Sequence, residues 1–316
     1  MRQVFAPHLG HYVKLGGRRL PRGGHVYAPR ATNYVAASLP AAPSSTNFRT
    51  KYDAALKQVY LNDTEGNCVI AARYHRIGQL TTLATGTAFV ATKAQINADY
   101  SRVGGFVPGD ASTDQGCDMI VNNNDGVSHG YADGSKDLGW LVVDATNKTL
   151  LQQLVWIFEG GIDLGISLPD AWVDPFPAAD GAVWDVAGAP NPMNGHDVPI
   201  IDFDAKGVLV VSWGLVIYIT WAALGKYLAP AAGGEAYLHV NPDMLAKGQT
   251  KCPNGFDWSA VISDFDSVGG HIPAPTPVTP PAPAPAPAPA PTPSKLVTLA
   301  QAQGWASAGL AASWPK

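Results

Sequence analysis

The sequence predicts an α+β domain in which helices come first along the chain and an antiparallel sheet follows. Residues 68–80, 92–105 and 147–161 carry helical patterns, and glycines close the last two. Short β-branched runs separated by turns then predict strands; these are IDLGISL, DVPIIDF, GVLVVSW and EAYLHV. A chain of 316 residues that is 46% hydrophobic and 15% charged can bury a large core. Helices followed by strands are typical of folds whose two layers are segregated.

Composition divides the chain into four regions. Residues 1–50 form a basic arm with seven Lys or Arg and no Asp or Glu, although the net charge of the whole chain is −4. Residues 51–270 form the globular body. Residues 271–295 are a Pro/Ala-rich linker, with a composition typical of polyproline II. Residues 296–316 predict a C-terminal helix that is too short to be stable alone.

The two ends of the chain predict protein partners. An acid-free, Arg-rich arm is typical of an interaction segment, and the alternative is an extension that lies on the surface without a partner. The arm is either retained or removed, as a propeptide would be. A terminal helix on a stiff spacer is typical of a docking peptide, with a frayed tail as the alternative.

One uncharged run raises the question of a membrane span. Residues 207–225 are long enough to cross a bilayer. The Ser-Trp-Gly break and the β-branched first half instead predict a buried strand followed by a short helix. The first residues of the chain lack the continuous apolar region of a secretory signal. These features leave the compartment open and do not favour membrane association.

Metal, cofactor and nucleic-acid binding are not expected. The sequence contains no Cys-x-x-Cys or His-x-x-x-His pair with metal-ligand spacing. Residues 121–126, VNNNDG, are turn-like but lack the terminal glutamate of a calcium loop. No Gly-rich phosphate loop follows a strand, and the acidic body lacks the basic footprint of a nucleic-acid-binding protein.

Cys68 is the first candidate for chemistry. It lies at the predicted first turn of a helix, where the helix dipole stabilises a thiolate. The alternative is a buried cysteine that acts as a small hydrophobe. For Cys117 and Cys252 we expect core thiols or one disulfide. A catalytic thiolate needs a histidine from elsewhere in the chain, and His196 stands at the start of a predicted strand hairpin.

Four short blocks follow one another along the chain: GNC at 66–68, TDQGC at 113–117, GH at 195–196 and SWG at 212–214. In this order they resemble the papain-like cysteine peptidases, and the resemblance covers residues 55–243. The resemblance implies a papain-like fold, with a helical layer packed on an antiparallel sheet or half-barrel. Cys68 and His196 are 128 residues apart, close to the roughly 130–150 residues usual in that family.

The resemblance also implies roles for single residues. Cys68 would be the nucleophile, which forms a thioester, and His196 would be its acid/base partner. Asn62 stands six residues before the cysteine, where the family has its oxyanion-hole glutamine. Trp213 would cover the polar contact of the histidine, with Ser212 as a further supporting residue. The implied substrate is a peptide or protein, and the implied mechanism uses no cofactor.

One residue departs from the family pattern. The asparagine that orients the histidine in the family stands directly before Ser-Trp-Gly, and this chain has Val211 there. Loss of such an orienting group is costly in serine triads, whereas a thiolate–imidazolium pair depends on it less. Asp197, Asp202 or Ser212 could replace it, although strand alternation points Asp197 away from the side that His196 faces. The alternative function is therefore a catalytically degenerate papain-like protein that serves as a structural or attachment component, for example of a phage virion or an envelope-tethered complex.

Overall fold

The strands lie in two sheets, and the computed structural model describes residues 1–20, 30–31, 41–51 and 53–241. The spatial order of the larger sheet is β3-β9-β4-β6-β7-β8-β5, antiparallel at every pair except β5 with β8. The described strands are β1 (Arg2–Ala6), β2 (His11–Leu15), β3 (Gly139–Val142), β4 (Ile162–Ser167), β5 (Val183–Trp184), β6 (Gly195–Phe203), β7 (Gly207–Ser212), β8 (Leu215–Thr220) and β9 (Glu235–Val240).

The described helices pack beside this sheet. They are α1 (Asp53–Leu56), α2 (Cys68–Thr85), α3 (Lys93–Gly104), α4 (Met119–Ser128), α5 (Lys148–Phe158) and α6 (Trp221–Tyr227). Short 3-10 turns occur at Phe48–Lys51, Ala111–Thr113, Asp170–Trp172, Pro192–Asn194 and Pro230–Ala232. Helices α1 to α5 precede the central strands along the chain, so the predicted α+β segregation is confirmed. The predicted linker and terminal helix, residues 271–316, lie outside the described residues, as does Cys252.

Local sequence sets the helix ends. At α3, the Thr92 side chain accepts a hydrogen bond from Gln95 N, and the Gln95 side chain accepts one from the Thr92 N–H. This reciprocal pair satisfies two helix-terminal donors. Gly105 ends α3 in the left-handed conformation, at φ 76°, which glycine adopts without steric cost. At α5, the Asn147 side chain caps the start with a single bond, which it accepts from Leu150 N.

Two predictions of local structure were wrong. Residues 207–225 form β7, β8 and α6 rather than one strand and a helix, because Trp213 and Gly214 adopt left-handed φ values of 50° and 75°. Such a pair makes the tight two-residue turn of a β-hairpin. Residues 121–126 lie inside α4 rather than in a turn, since the Asp118 side chain caps the helix at Ile120 N and Val121 N.

Helix α2 lies against β6 at the centre of the fold, and ion pairs join it to the sheet. The fully buried Arg76 side chain lies 3.2 Å from Asp163 Oδ2 and 3.6 Å from Asp137 Oδ2. Burial alone would raise the pKa of Asp137, but the Arg76 charge and the His239 hydrogen bond lower it to about 2. These carboxylates are therefore charged in the folded protein. Within the described ranges, no helix is both long and apolar enough to cross a membrane.

The described start of the basic arm is structured. Strands β1 and β2 pair as an antiparallel hairpin, and both belong to the same compact unit as the body, Met1–Thr276. Val4, Val13 and Leu15 are buried in the main hydrophobic core. This hairpin leads directly into residues 16–19, which lie at the candidate active site and are called the covering segment below.

Candidate active site

Cys68 is the first residue of α2, as the sequence predicts. The first helical hydrogen bonds run from Ile70 N and Ala71 N to Asn67 O. The N–H groups of Cys68 and Val69 therefore precede the hydrogen-bonded turn, and the positive end of the helix dipole lies at the thiol. Cys68 is only 1% exposed, and neither Cys68 nor Cys117 forms a disulfide with a described residue.

His196 lies on β6, the strand that packs against α2. Its Nε2 lies 2.6 Å from Ser212 Oγ, at the end of the neighbouring strand β7. The Trp213 ring stacks on the imidazole, with centroids 4.1 Å apart and planes within 6° of parallel. Two neighbouring residues thus fix the ring on its strand: Ser212 holds one nitrogen through its hydroxyl, and Trp213 covers one face.

Ser212 orients the His196 ring, although the residue that aligns with the family's orienting asparagine is Val211. Successive side chains of β7 point to opposite faces, so when Ser212 reaches the imidazole Val211 faces away. Val211 is 1% exposed and packs in a separate apolar cluster with Leu56, Ile201 and Val216. Val211 therefore does not leave His196 without a hydrogen-bond partner, because the Ser212 hydroxyl takes the place of the family's amide.

Replacing Val211 with the family's asparagine is expected to lower the free energy of unfolding and to add no hydrogen bond to His196. An amide buried in that cluster without a partner costs about 1–3 kcal/mol. The measurement is urea denaturation of Val211→Asn beside Val186→Asn. Val186 is 48% exposed, so the same change there should stay within about 0.5 kcal/mol. Equal stability of both variants would contradict the assigned direction of Val211.

Asn62 does not direct its amide at the thiol in this conformation. Asn62 Nδ2 lies 3.5 Å from Glu65 O within its own turn. The backbone oxygen of Asn62 instead accepts a hydrogen bond from Trp213 Nε1 at 3.3 Å. The turn that carries Asn62 is thereby tied to the residue that covers His196.

The covering segment lies directly on the candidate nucleophile. A β-carbon built on Gly17 would lie 2.3 Å from Gly66 O and 3.1 Å from Cys68 Sγ. Only glycine fits there, since any side chain would overlap the backbone next to the thiol. The sequence pair Gly16-Gly17 marks this close approach.

Backbone hydrogen bonds hold the covering segment from both sides. On one side Cys117 N donates to Gly17 O, and Arg19 N donates to Cys117 O, each at 2.8 Å. On the other side Arg18 N donates to Gly195 O at 3.2 Å. An extended peptide therefore already lies in a groove between the Cys68 side and the His196 side. Sequence reasoning missed this, although it did single out the TDQGC block that forms one wall.

Burial keeps both candidate catalytic groups neutral in this state. It raises the pKa of the Cys68 thiol; the Asp197 charge adds to the rise, and the Asp197 N–H opposes it. Burial, followed by the Arg18 charge, lowers the pKa of His196 to about 3. The thiol and imidazole are thus uncharged at neutral pH while the covering segment is seated. An ion pair between them requires water or substrate to replace that segment.

The helical layer, the antiparallel sheet and the position of Cys68 and His196 between them define a papain-like fold. Solved structures show the same architecture. Xylellain, a cysteine protease from Xylella fastidiosa, matches with a TM-score of 0.52 at 12% identity, over 72% of this chain and 97% of that one. The digestive procathepsin L2 from Tenebrio molitor larval midgut matches with a TM-score of 0.50 at 14% identity, over 72% and 78%. No protein-family model and no curated protein matches the sequence.

Proposed function

We propose that the chain is a cysteine hydrolase that cleaves peptide bonds and that the described form is its covered state. One observation carries the proposal: an extended peptide, the covering segment, lies on Cys68 Sγ with backbone hydrogen bonds to both walls. A substrate needs the same placement for its carbonyl carbon to come within reach of the thiol. The papain-like fold and the position of Cys68 at a helix start support the same reading.

In the proposed reaction, His196 takes the proton of Cys68 and the thiolate attacks the carbonyl carbon. Since Nε2 is held by Ser212, Nδ1 is the nitrogen left for this proton. The imidazolium then protonates the leaving amine as the C–N bond breaks, which leaves an acyl thioester on Cys68. Water, deprotonated by His196, hydrolyses the thioester and restores the thiol. The Cys68 N–H is the proposed oxyanion donor, and the Asn62 amide becomes a second donor only if it turns from Glu65 O toward the thiol.

The attachment alternative rests on the basic arm, the Pro/Ala-rich linker and the predicted terminal helix, and the last two lie outside the described residues. An attachment role would give Cys68, which lies under the covering segment, no catalytic function.

The test is hydrolysis of denatured casein by the Gly17→Ala protein, in which the covering segment is expected to be displaced. Cleavage should appear, and adding Cys68→Ala should remove it to background because no nucleophile remains. Cleavage that survives Cys68→Ala, or no cleavage although Cys68 has become accessible to a thiol reagent, would reject the hydrolase.

A further inference from the structure

A pocket for a basic side chain opens off the groove one residue from the thiol. In the covered state it holds Arg18, whose side chain is 0% exposed. Arg18 Nε donates to Glu235 Oε1 at 2.8 Å, and Nη2 donates to Gly233 O. The Glu235 carboxylate is itself held by the Tyr237 hydroxyl, at 2.6 Å.

The walls of this pocket belong to the body. Gly165 on β4 pairs with Glu235 on β9 and with Asp197 on β6, so the three lie in a row across neighbouring strands. A β-carbon on Gly165 would lie 2.6 Å from Arg18 Nε, and hence glycine there keeps the pocket open. The pocket therefore persists when the covering segment leaves.

The row contains a second carboxyl group, that of Asp197, but the negative charge that pairs with Arg18 is that of Glu235. Burial, followed by the charges of Asp163 and Glu235, raises the pKa of Asp197 well above its usual value. Neither carboxyl oxygen of Asp197 has a hydrogen-bond partner among the described residues. Once Arg18 leaves, Glu235 is a buried carboxylate without its cation, which is costly unless another cation replaces it.

We propose that this pocket is a substrate subsite that selects arginine or lysine at the residue next to the one placed on Cys68. The inference rests on the proposed function, because the substrate must follow the same groove as the covering segment. Gly17 and Arg18 then mark the two positions, a small residue on the thiol and a basic residue beside it. The covering segment carries them in the order Gly-Arg; a substrate whose acyl side enters the pocket runs along the groove in the opposite direction and carries them as Arg-Gly. A neutral side chain of equal size would leave Glu235 unpaired, and an acidic one would add repulsion.

The test compares two peptide acyloxymethyl ketones on the Gly17→Ala protein, one with Arg-Gly and one with citrulline-Gly before the ketone. Citrulline has the size of arginine without its charge. The Cys68 thiolate displaces the acyloxy group as a carboxylate, and labelling is followed by intact mass. We expect the Arg probe to label about 10- to 100-fold faster, the range for a charge-assisted hydrogen bond. Adding Glu235→Gln should bring the ratio to within about threefold of one.

The ratio is measured on one protein, so a change in folded fraction cancels. Equal labelling by the two probes, with Glu235 present, would overturn the subsite and leave the hydrolase standing. A ratio that stays high in Glu235→Gln would overturn the role of Glu235. Failure of both probes to label an accessible Cys68 would overturn the hydrolase and the subsite with it.

Discussion

Changing Gly17 to alanine is expected to raise the alkylation rate of Cys68 by roughly 5- to 150-fold. The added β-carbon would lie 2.3 Å from the Gly66 carbonyl oxygen. Overpacking of this kind costs about 1–3 kcal/mol, which shifts the covering segment from seated to released by the corresponding factor. Because the thiol reacts only when uncovered, its rate should follow that population. The measurement is iodoacetamide labelling with peptide mapping, which separates Cys68 from Cys117 and Cys252.

The matched control is Gly225→Ala. A β-carbon at Gly225 meets nothing within 4 Å, so the labelling rate should not change. If Gly17→Ala labels no faster than Gly225→Ala, the covering segment does not control access to the thiol.

The second large effect concerns the histidine. In the Gly17→Ala background, His196→Ala is expected to lower kcat for peptide hydrolysis by about 100- to 10,000-fold, the usual contribution of a general acid/base. Ser212→Ala should lower it by about tenfold, since one hydrogen bond to a charged ring is worth roughly 1.5–3 kcal/mol and water replaces part of it. Ser212 acts through His196 and is therefore a positioning residue.

A purely structural role for Ser212 would leave the pH profile unchanged. We expect Ser212→Ala to shift the acidic limb of kcat/KM, because the hydroxyl bonds directly to His196 Nε2 at 2.6 Å. Ser212→Thr keeps the hydroxyl and should restore the wild-type limb. An unshifted limb in Ser212→Ala would contradict the assignment.

Sequence alone located the two candidate catalytic residues and the fold class. The GNC, GH and SWG blocks are local, and the strands and capped helices between them carry strong periodic or capping signals. The sequence offered Asp197, Asp202 and Ser212 as the orienting residue and could not choose among them, because the direction of the Ser212 side chain depends on a tight Trp213-Gly214 turn. A shift of one position in that turn exchanges the two faces of the strand.

The covering segment was hidden for a different reason. Its contacts join residues far apart in sequence, such as Arg18 with Glu235. An acid-free, Arg-rich start is typical of a solvated interaction arm, and nothing local indicates that one of its arginines pairs with a buried carboxylate. The signal in the sequence was the alternation of the apolar residues Val13 and Leu15 along β2, followed by Gly16-Gly17.

We propose that Cys68 and His196 form a reactive pair once the covering segment has left them. The most direct measurement is the rate of Cys68 alkylation against pH in Gly17→Ala and in Gly17→Ala/His196→Ala. Exposure removes the burial that raises the pKa of the thiol and lowers that of the imidazole. We expect fast labelling that persists below about pH 6 and is lost without His196. Labelling that rises only near about pH 8.5 in both proteins, as for an ordinary thiol, would contradict it.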